Sequence, residues 1–437
     1  MKFVLLFLQL NFLFFSNFIF SQEKKSFSNL EELLTLAKEK SFVFKNAQEQ
    51  IHLANLTKKT AIGNVINPRI PASIQSINNL KQQVIFLPGE PFGQPAGTIK
   101  EVTTGQQYVS IFSIQPQFEI INFGAIGLIK SAKINEEIVE NQNKIDEQKI
   151  YNQINTVYFN ILTYQGQKEI LKENITLAKK ILSIVNNRYK AGITKKQDLN
   201  DAEVNLISIE NNLLELENNL SQQYLALSTL FEDEINSTLV ENVWQYQNTT
   251  EILETNNQLD FEHARLQWKN GQQERRLANL QNLPIVSFIS SFNWQNVSNQ
   301  AFFDSTSNWI NFNYIGFRLS WDFPTTVVKL SNIYNQKIKN EIFKNSFEHA
   351  KKENELKNKQ LSLDYQKSVA TVKNMRKIFD LKLNSFEKNQ NQYNENILGL
   401  DKLLLSQKET LDSKLNLISS LAQVGFYKHK ILINNKF

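Results

Sequence analysis

The stretch N-R-Y-K-A-G-I-T-K-K-Q-D-L-N-D-A-E-V-N-L, residues 187–206, interrupts a long segment whose pattern is otherwise helical. No proline occurs between Pro116 and Pro284, so Gly192 stands out as a helix breaker. A glycine ends a helix readily because it adopts the left-handed conformation without a Cβ clash. The stretch therefore predicts a hairpin tip, in which one helix ends at Ala191 and a second, antiparallel helix begins just after Gly192.

The residues that come after Gly192 carry the signals of a helix start. Thr194 is expected to cap the second helix, with Gln197 completing a T-x-x-Q capping box. Asp198 falls in the first turn, where a negative charge interacts favourably with the helix dipole. On these residues alone, the tip is a structural turn.

Apolar residues recur in steps of three and four on both sides of the tip. Before it they are Val157, Ile161, Tyr164, Leu171, Ile175, Ala178, Leu182, Val185 and Tyr189. After it they are Leu199, Ala202, Leu206, Ile209, Leu213, Leu216, Leu220, Leu227 and Leu230. A narrow apolar seam of this kind is typical of helices packed as coiled coils. A first helix that begins near Leu128 would be roughly 90 Å long at about 1.5 Å per residue.

Two pairs of segments show the alternation of β-strands. They are residues about 69–87 and 106–123, and residues about 284–297 and 309–323. Aromatic side chains such as Phe112, Phe118 and Trp294 occupy alternate positions, which is typical of membrane barrel strands with interfacial belts. The loops that join each pair, 88–105 and 296–308, are expected to face the cell exterior.

The N-terminus and the composition limit the compartment and the partners. Residues 1–21 have the pattern of a secretory signal peptide, with Lys2 before an apolar run and the small Ser21 at the cleavage point. The chain has no cysteine, so it carries no lipid at that point and no disulfide. Loss of Lys2 with the signal leaves 47 of the 48 basic residues against 43 acidic ones. This near balance argues against a nucleic-acid-binding face.

No catalytic or metal-binding motif is apparent. The histidines lie far apart and none has the spacing of a metal-ligand pair; they are His52, His263, His349 and His429. A nucleophile elbow and a phosphate-binding glycine loop are absent from the sequence. The sequence therefore predicts neither an enzyme nor a cofactor.

The same order of elements occurs twice, in residues 22–235 and again in 236–437. The predicted helices are about 28–62, 128–191 and 195–231 in the first half, and about 258–281, 325–395 and 400–430 in the second. N-R-Y-K-A-G-I at 187–193 matches N-Q-Y-N-E-N-I at 391–397, and I-N-F-G at 121–124 matches W-D-F-P at 321–324. Matches in a common order indicate a duplicated chain. Asn396 replaces the tip glycine, and asparagine also tolerates the left-handed conformation.

With these features the sequence resembles the TolC-like outer-membrane efflux protein family over nearly all of the mature chain. The resemblance rests on R-Y-K-A-G-I-T-K-K-Q-D-L-N-D-A-E, on the duplicated order and on N-F-G at the end of the second strand. It implies a mixed α/β membrane protein: a homotrimer in which each protomer lends four strands to one twelve-stranded outer-membrane β-barrel. A long α-helical coiled-coil barrel continues it into the periplasm. A four-stranded membrane sheet has unpaired edges, so closure by other copies is required.

The family resemblance also implies a function and partners. It predicts a passive exit duct of a tripartite efflux or type I secretion system in the cell outer membrane. A periplasmic adaptor (membrane fusion) protein and an inner-membrane pump would deliver the substrate to it. The adaptor-docking tips would be formed by Gly192, Ile193, Thr194, Asn396, Ile397 and Leu398. Just inside them, Asp198 and Asp401 are the candidate lumen or gate residues, which threefold symmetry would multiply into a cation-attracting ring.

Two alternatives from other classes stay open at this point. A secreted or periplasmic structural coiled coil would share the heptads, but it predicts no membrane strands and no duplication. A periplasmic adaptor would also contain helical hairpins, but it would carry a Gly/Val-rich lipoyl-like domain beside them. We find no such domain in the sequence.

Overall fold

The structure is a computed structural model that describes residues 27–233, 239–249, 251 and 253–437. The predicted signal peptide, residues 1–21, lies outside the described residues. Those of Met1–Gln48, Asn143–Leu259 and Lys352–Phe437 form one compact unit, and Glu49–Gln142 and Asp260–Lys351 form a second. We call them the helical unit and the sheet unit.

Long helices dominate the described chain. The α-helices, α1 to α7, are Leu30–Lys40, Phe42–Gly63, Phe123–Lys190, Lys196–Phe231, Leu259–Leu280, Val327–Asn394 and Leu400–Asn435. Helices α3 and α6 each have 68 residues, or about 100 Å at about 1.5 Å per residue. Helices α4 and α7 each have 36 residues. None of the described helices is both long enough and apolar enough to cross a membrane.

Two of the predicted helices differ from the structure. The first predicted helix, about 28–62, is divided into α1 and α2 at Ser41, whose backbone is extended (φ −65°, ψ 134°). Helix α3 begins at Phe123 rather than near Leu128. The reason is local: the side-chain oxygen of Asn122 accepts a hydrogen bond from the Ala125 N–H (2.9 Å), as a helix cap does.

The predicted apolar seam is the buried face of the helical hairpins. Before the tip, Ile161, Leu171, Ala178 and Val185 are buried. On α4, Ala202, Ile209 and Leu216, spaced by seven residues, are buried as well. Leu227 is buried too, and the other seam leucines of α4 pack partly buried against the same clusters. Burial of each large apolar side chain contributes about 1.5–3 kcal/mol, so the seam is a main source of stability for these helices.

The larger sheet is antiparallel and four strand positions wide. The strands β1 to β7 are Ala72–Asn78, Gln83–Pro88, Ile99–Thr104, Tyr108–Ile114, Gln117–Ile121, Ile285–Ser298 and Trp309–Ser320. Strand β6 pairs with β7 on one side and with β4 and β5, placed end to end, on the other. Strand β1 pairs with the outer side of β4. Strands β1 and β7 are therefore the edges of this sheet.

The first predicted strand, about 69–87, is divided into β1 and β2. Strand β2 leaves the sheet and pairs with β3 in a separate two-stranded ribbon. The break follows from Asn79, whose N–H donates to the Gln107 carbonyl (2.7 Å) and whose side-chain amide donates to the Gln106 carbonyl (2.8 Å). These two bonds end the pairing of β1 with β4, and the chain bends at Leu80 and Lys81 before β2 begins.

The second predicted strand, about 106–123, is interrupted by Pro116, which separates β4 from β5. Proline has no N–H to donate to the ladder. Its carbonyl still accepts a hydrogen bond from the Ser290 N–H of β6 (2.9 Å). The two halves therefore behave as one strand position along β6.

Candidate docking tips and membrane-facing sheet

The first tip ends α3 with a paired hydrogen-bond motif. Gly192 has φ +73°, the left-handed conformation that the sequence predicted. Its N–H donates to the Tyr189 carbonyl (2.9 Å), and the Ile193 N–H donates to the Arg188 carbonyl (2.9 Å). This Schellman pattern satisfies two of the carbonyls that a helix end leaves unpaired. A Cβ at Gly192 would meet nothing within 4 Å, so the backbone conformation, not space, favours glycine there.

The second tip repeats the motif with asparagine. Asn396 has φ +61°, so it adopts the left-handed conformation that the sequence predicted for it. Its N–H donates to the Tyr393 carbonyl (3.1 Å), and the Ile397 N–H donates to the Gln392 carbonyl (2.8 Å). The two tips, far apart in sequence, therefore have the same hydrogen-bond pattern. Each presents an isoleucine just after its left-handed residue.

Arg188 joins the two tips, a role that no sequence pattern predicted. Both terminal nitrogens of its guanidinium donate to the Tyr393 carbonyl (3.2 Å each), and one also donates to the Asn394 carbonyl (3.1 Å). The guanidinium lies 4.4 Å from the centroid of the Tyr393 ring. A cation at a helix C-terminus interacts favourably with the helix dipole. The sequence shows only that a basic residue lies in the last turn of α3. The carbonyls that it binds belong to the other tip.

The start of α4 differs from the predicted capping box. Asp198, not Gln197, is the capping side chain. Its carboxylate accepts hydrogen bonds from the Lys195 N–H (3.1 Å) and from the Thr194 hydroxyl. A carboxylate is the stronger acceptor, and its charge suits the N-terminus of a helix. Thr194 is therefore held by Asp198 instead of capping the helix itself.

A small apolar cluster, the tip core, lies beneath both tips. Its buried members come from all four helix ends: Ile181, Val185, Ala202, Phe386, Tyr393, Leu400 and Leu403. The predicted docking residue Leu398 is half-buried and packs against this core. Leu398 thus has a structural partner that the sequence did not reveal.

Ile193 and Ile397 are the most exposed apolar side chains of the two tips. They are 67% and 70% exposed, whereas Thr194 is only half-exposed. Gly192 and Asn396 are exposed beside them. Single exposed apolar residues are common on protein surfaces, and these two are distinguished by occupying the same position in both tips. The tips therefore present two isoleucines on a rigid, hydrogen-bonded turn.

The candidate lumen residues occupy different environments. Asp198 is half-buried and engaged in the cap, whereas Asp401 is exposed in the first turn of α7. They are also not equivalent between the two hairpins: if Gly192 is aligned with Asn396, Asp198 aligns with Lys402, and Asp401 aligns with Gln197. Asp401 is therefore the freer of the two carboxylates.

The two faces of the four-position sheet differ in polarity in the half next to α6, where the register places Phe317 and Leu319 on one face and Gly316 and Arg318 on the other. Paired residues share a face, and the apolar face carries the pairs Phe112 with Trp294 and Phe288 with Phe317. The ring centroids in these pairs lie 5.4 and 5.8 Å apart. The opposite, polar face carries residues such as Ser113, whose hydroxyl donates to the Asn293 side chain (2.7 Å). Toward the loop at 296–308 both faces are mixed, with Ser110 and Asn296 on the apolar face and Phe312 on the polar face. Strands of membrane barrels alternate as the half next to α6 does.

Aromatic side chains gather at both ends of the apolar face. At one end, the rings of Tyr108 and Phe302 are 4.9 Å apart. At the end next to α6, Trp321 stacks on Phe323 at 4.2 Å. Between these ends, β7 has 12 residues; with a rise of about 3.3 Å and a tilt of about 40°, they span roughly 30 Å along a barrel axis. This is long enough to cross the apolar band of an outer-membrane barrel, which is about 25 Å tall.

A buried carboxylate fastens the connector between the two halves to the helical unit. Glu241 accepts hydrogen bonds from the Tyr246 hydroxyl (2.6 Å) and from the Tyr158 hydroxyl. Burial raises the pKa of Glu241, while the Tyr246 hydrogen bond opposes that shift. Nearby, burial lowers the pKa of His429, whose Nδ1–H donates to the Gly425 carbonyl (3.0 Å). The cluster is structural: it holds residues 239–249 against α3 and α7.

The described residues contain no metal centre. No group of three or more His, Cys, Asp or Glu side chains among them is placed to hold a metal ion.

Comparison with known proteins shows what the chain is similar to. Residues 100–231 match the model of the outer membrane efflux protein family. No curated protein matches the chain. Among solved structures, the outer membrane protein VceC of Vibrio cholerae has a TM-score of 0.72 and 13% identity, over 93% of this chain and 95% of its own.

Two further structures are outer membrane channels. CmeC of Campylobacter jejuni has a TM-score of 0.72 and 14% identity, over 95% of this chain and 89% of its own. MtrE of Neisseria gonorrhoeae, in its open state, has a TM-score of 0.64 and 12% identity, over 91% and 88%. The matched family consists of channel proteins rather than enzymes. The predicted resemblance to the TolC-like outer-membrane efflux protein family is thus confirmed, by the family model over residues 100–231 and by the fold over most of the described chain.

Proposed function

We propose that the chain is the outer-membrane exit duct of a tripartite efflux or type I secretion system. It conducts its substrate passively, because the energy comes from a pump in the inner membrane. The observation that carries this proposal is the combination, in one chain, of an apolar sheet face bordered by aromatic residues and two exposed isoleucines on helical tips. The sheet lies in the outer membrane and the helices lie in the periplasm.

The sheet edges support assembly into a trimer. Strands β1 and β7 leave backbone N–H and C=O groups unpaired along the edges of a four-position sheet. Unpaired backbone groups cost several kcal/mol each in a bilayer, so the edges must be covered. Three copies would pair these edges into a barrel of twelve strands, and the polar face would then line its lumen.

The tips support docking of a periplasmic adaptor. Ile193 and Ile397 are too exposed to stabilise the fold, and each comes directly after a turn that is fixed by hydrogen bonds. A rigid apolar projection of this kind binds a helical hairpin at little entropic cost. The adaptor would join the tips to an inner-membrane pump.

Adjacent residues on opposite faces of β7 test the membrane assignment. Phe317 is 74% exposed on the apolar face, and Gly316 lies on the polar face with nothing within 4 Å of an added Cβ. We expect the wild type to fractionate with the outer membrane and to run as a trimer in mild detergent. Phe317→Lys should lower the trimer yield, because a cation facing lipid costs about 2–4 kcal/mol.

Gly316→Lys is the matched control for that experiment, since it adds the same charge to the polar face. It should leave fractionation and trimer yield unchanged. Recovery of the wild type as a soluble monomer from periplasmic extract would contradict the proposed function. Equal effects of the two lysines would contradict the assignment of the faces.

A further inference from the structure

Both charged residues of the larger sheet lie on the polar face, in one row of residues that are paired in register across the strands. Glu119 of β5 pairs in register with Ser287 of β6, and Ser287 pairs with Arg318 of β7. Residues in register share a face, so Glu119 and Arg318 flank the same serine. Among the described strands of this sheet, they are the only charged residues.

The carboxylate of Glu119 is already occupied. Arg69 lies 3.9 Å from it, and the side-chain amides of Asn67 and Asn122 donate to its two oxygens at 3.0 and 2.5 Å. Its side chain is only 12% exposed. The negative charge of Glu119 is therefore compensated by Arg69. Its carboxylate lies against residues of the turn that precedes β1.

Arg318 stands in contrast. Its side chain is exposed, and within the described residues it makes neither a hydrogen bond nor an ion pair. Arg69, Glu119 and Arg318 together leave one net positive charge per chain on this row. In a symmetric assembly that charge occurs at the same height in every copy.

We propose that Arg318 forms a cationic ring in the lumen, which makes this part of the duct favour anionic solutes. The inference rests on the proposed function, because only a closed barrel directs the polar face into a lumen. Rings of one charge sign in a pore wall attract the opposite ion and set its selectivity. The solutes favoured are inorganic anions and substrates with carboxylate, sulfate or phosphate groups.

Gly316 allows the charge to be cancelled without removing Arg318. It is two residues away on the same face, and a Cβ there meets nothing within 4 Å. Gly316→Asp therefore places a carboxylate beside the guanidinium, while Gly316→Ser adds a side chain without charge. Arg318→Gln removes the charge, and Arg318→Lys retains it.

The experiment measures the reversal potential of the full-length protein in planar bilayers across a gradient of dilute KCl. Arg318→Gln and Gly316→Asp should both shift the reversal potential toward the equilibrium potential of potassium. Arg318→Lys and Gly316→Ser should match the wild type. The shift should vanish near 1 M salt, where the Debye length is about 3 Å. Conducting channels with an unchanged reversal potential in Arg318→Gln and Gly316→Asp would overturn this inference alone. A wild type that forms no channels would contradict the proposed function, and this inference with it.

Discussion

At the scale of single residues, the tips depend on two left-handed positions and on the isoleucine next to each. Gly192 and Asn396 allow α3 and α6 to end with satisfied carbonyls, so each chain reversal takes few residues. Ile193 and Ile397 contribute little to folding, because they remain exposed. A residue that is exposed on a rigid turn is free to serve a partner.

Ile193→Asp tests this division between structure and docking. The substitution should leave trimer yield and heat resistance unchanged, because surface changes away from a core cost within about 0.5 kcal/mol. It should abolish export, since a charged tip cannot enter an apolar groove of the adaptor. Ile193→Leu, which keeps the apolar surface, should export normally. Normal export by Ile193→Asp, or loss of its trimer, would show that the docking assignment is wrong.

The sequence predicted the tip turns better than it predicted their hydrogen bonds. A lone glycine in a long helical pattern left few alternatives, and asparagine at 396 has the same conformational preference. The cap was wrong because Thr194, Gln197 and Asp198 are all able to serve as acceptors. Only the folded geometry shows that the carboxylate of Asp198 takes both hydrogen bonds.

At the scale of the elements, Arg188 couples the ends of α3 and α6. Its guanidinium binds two carbonyls of the other hairpin and stacks on a buried tyrosine. Beneath it, the tip core is shared by four helix ends. The two tips of one chain are therefore expected to move together.

Arg188→Ala should loosen both tips. Loss of hydrogen bonds from a charged donor costs about 2 kcal/mol, which corresponds to roughly 30-fold faster local opening. Hydrogen exchange of the Ile193 and Ile397 amides in the intact assembly measures this opening. Lys190→Ala, which removes an exposed charge in the same helical turn, should leave exchange at Ile397 unchanged. If Arg188→Ala changes exchange only at Ile193, the tips are not coupled.

The long helices were predictable and the strands only partly so. A heptad seam fixes the buried face of a helix over many turns, so the four long helices follow from the sequence. A strand signal covers only a few residues, and the chain bends at Leu80 and Lys81 inside the predicted strand, so that β2 joins a ribbon. Arg188 escaped prediction because its partners lie about 200 residues further along the chain.

At the scale of the whole molecule, the two kinds of structure belong to two compartments in the proposed duct. The apolar face of the sheet is expected in the outer membrane, the loop at 296–308 outside the cell, and the tips in the periplasm. The alternation of aromatic residues in the sequence predicted a membrane face. The charged row of Glu119, Ser287 and Arg318 required the register, which no sequence pattern supplied.

Cysteine labelling of intact cells tests the central claim most directly, because the native chain has no cysteine and gives no background. Ser305→Cys, in the loop between β6 and β7, should react with a membrane-impermeant thiol reagent on intact cells. Ile193→Cys, at the first tip, should react only after the outer membrane is permeabilised. That pair of results places the two positions on opposite sides of the membrane. Labelling of both positions on intact cells, or of Ser305→Cys only after lysis, would contradict an outer-membrane duct with periplasmic tips.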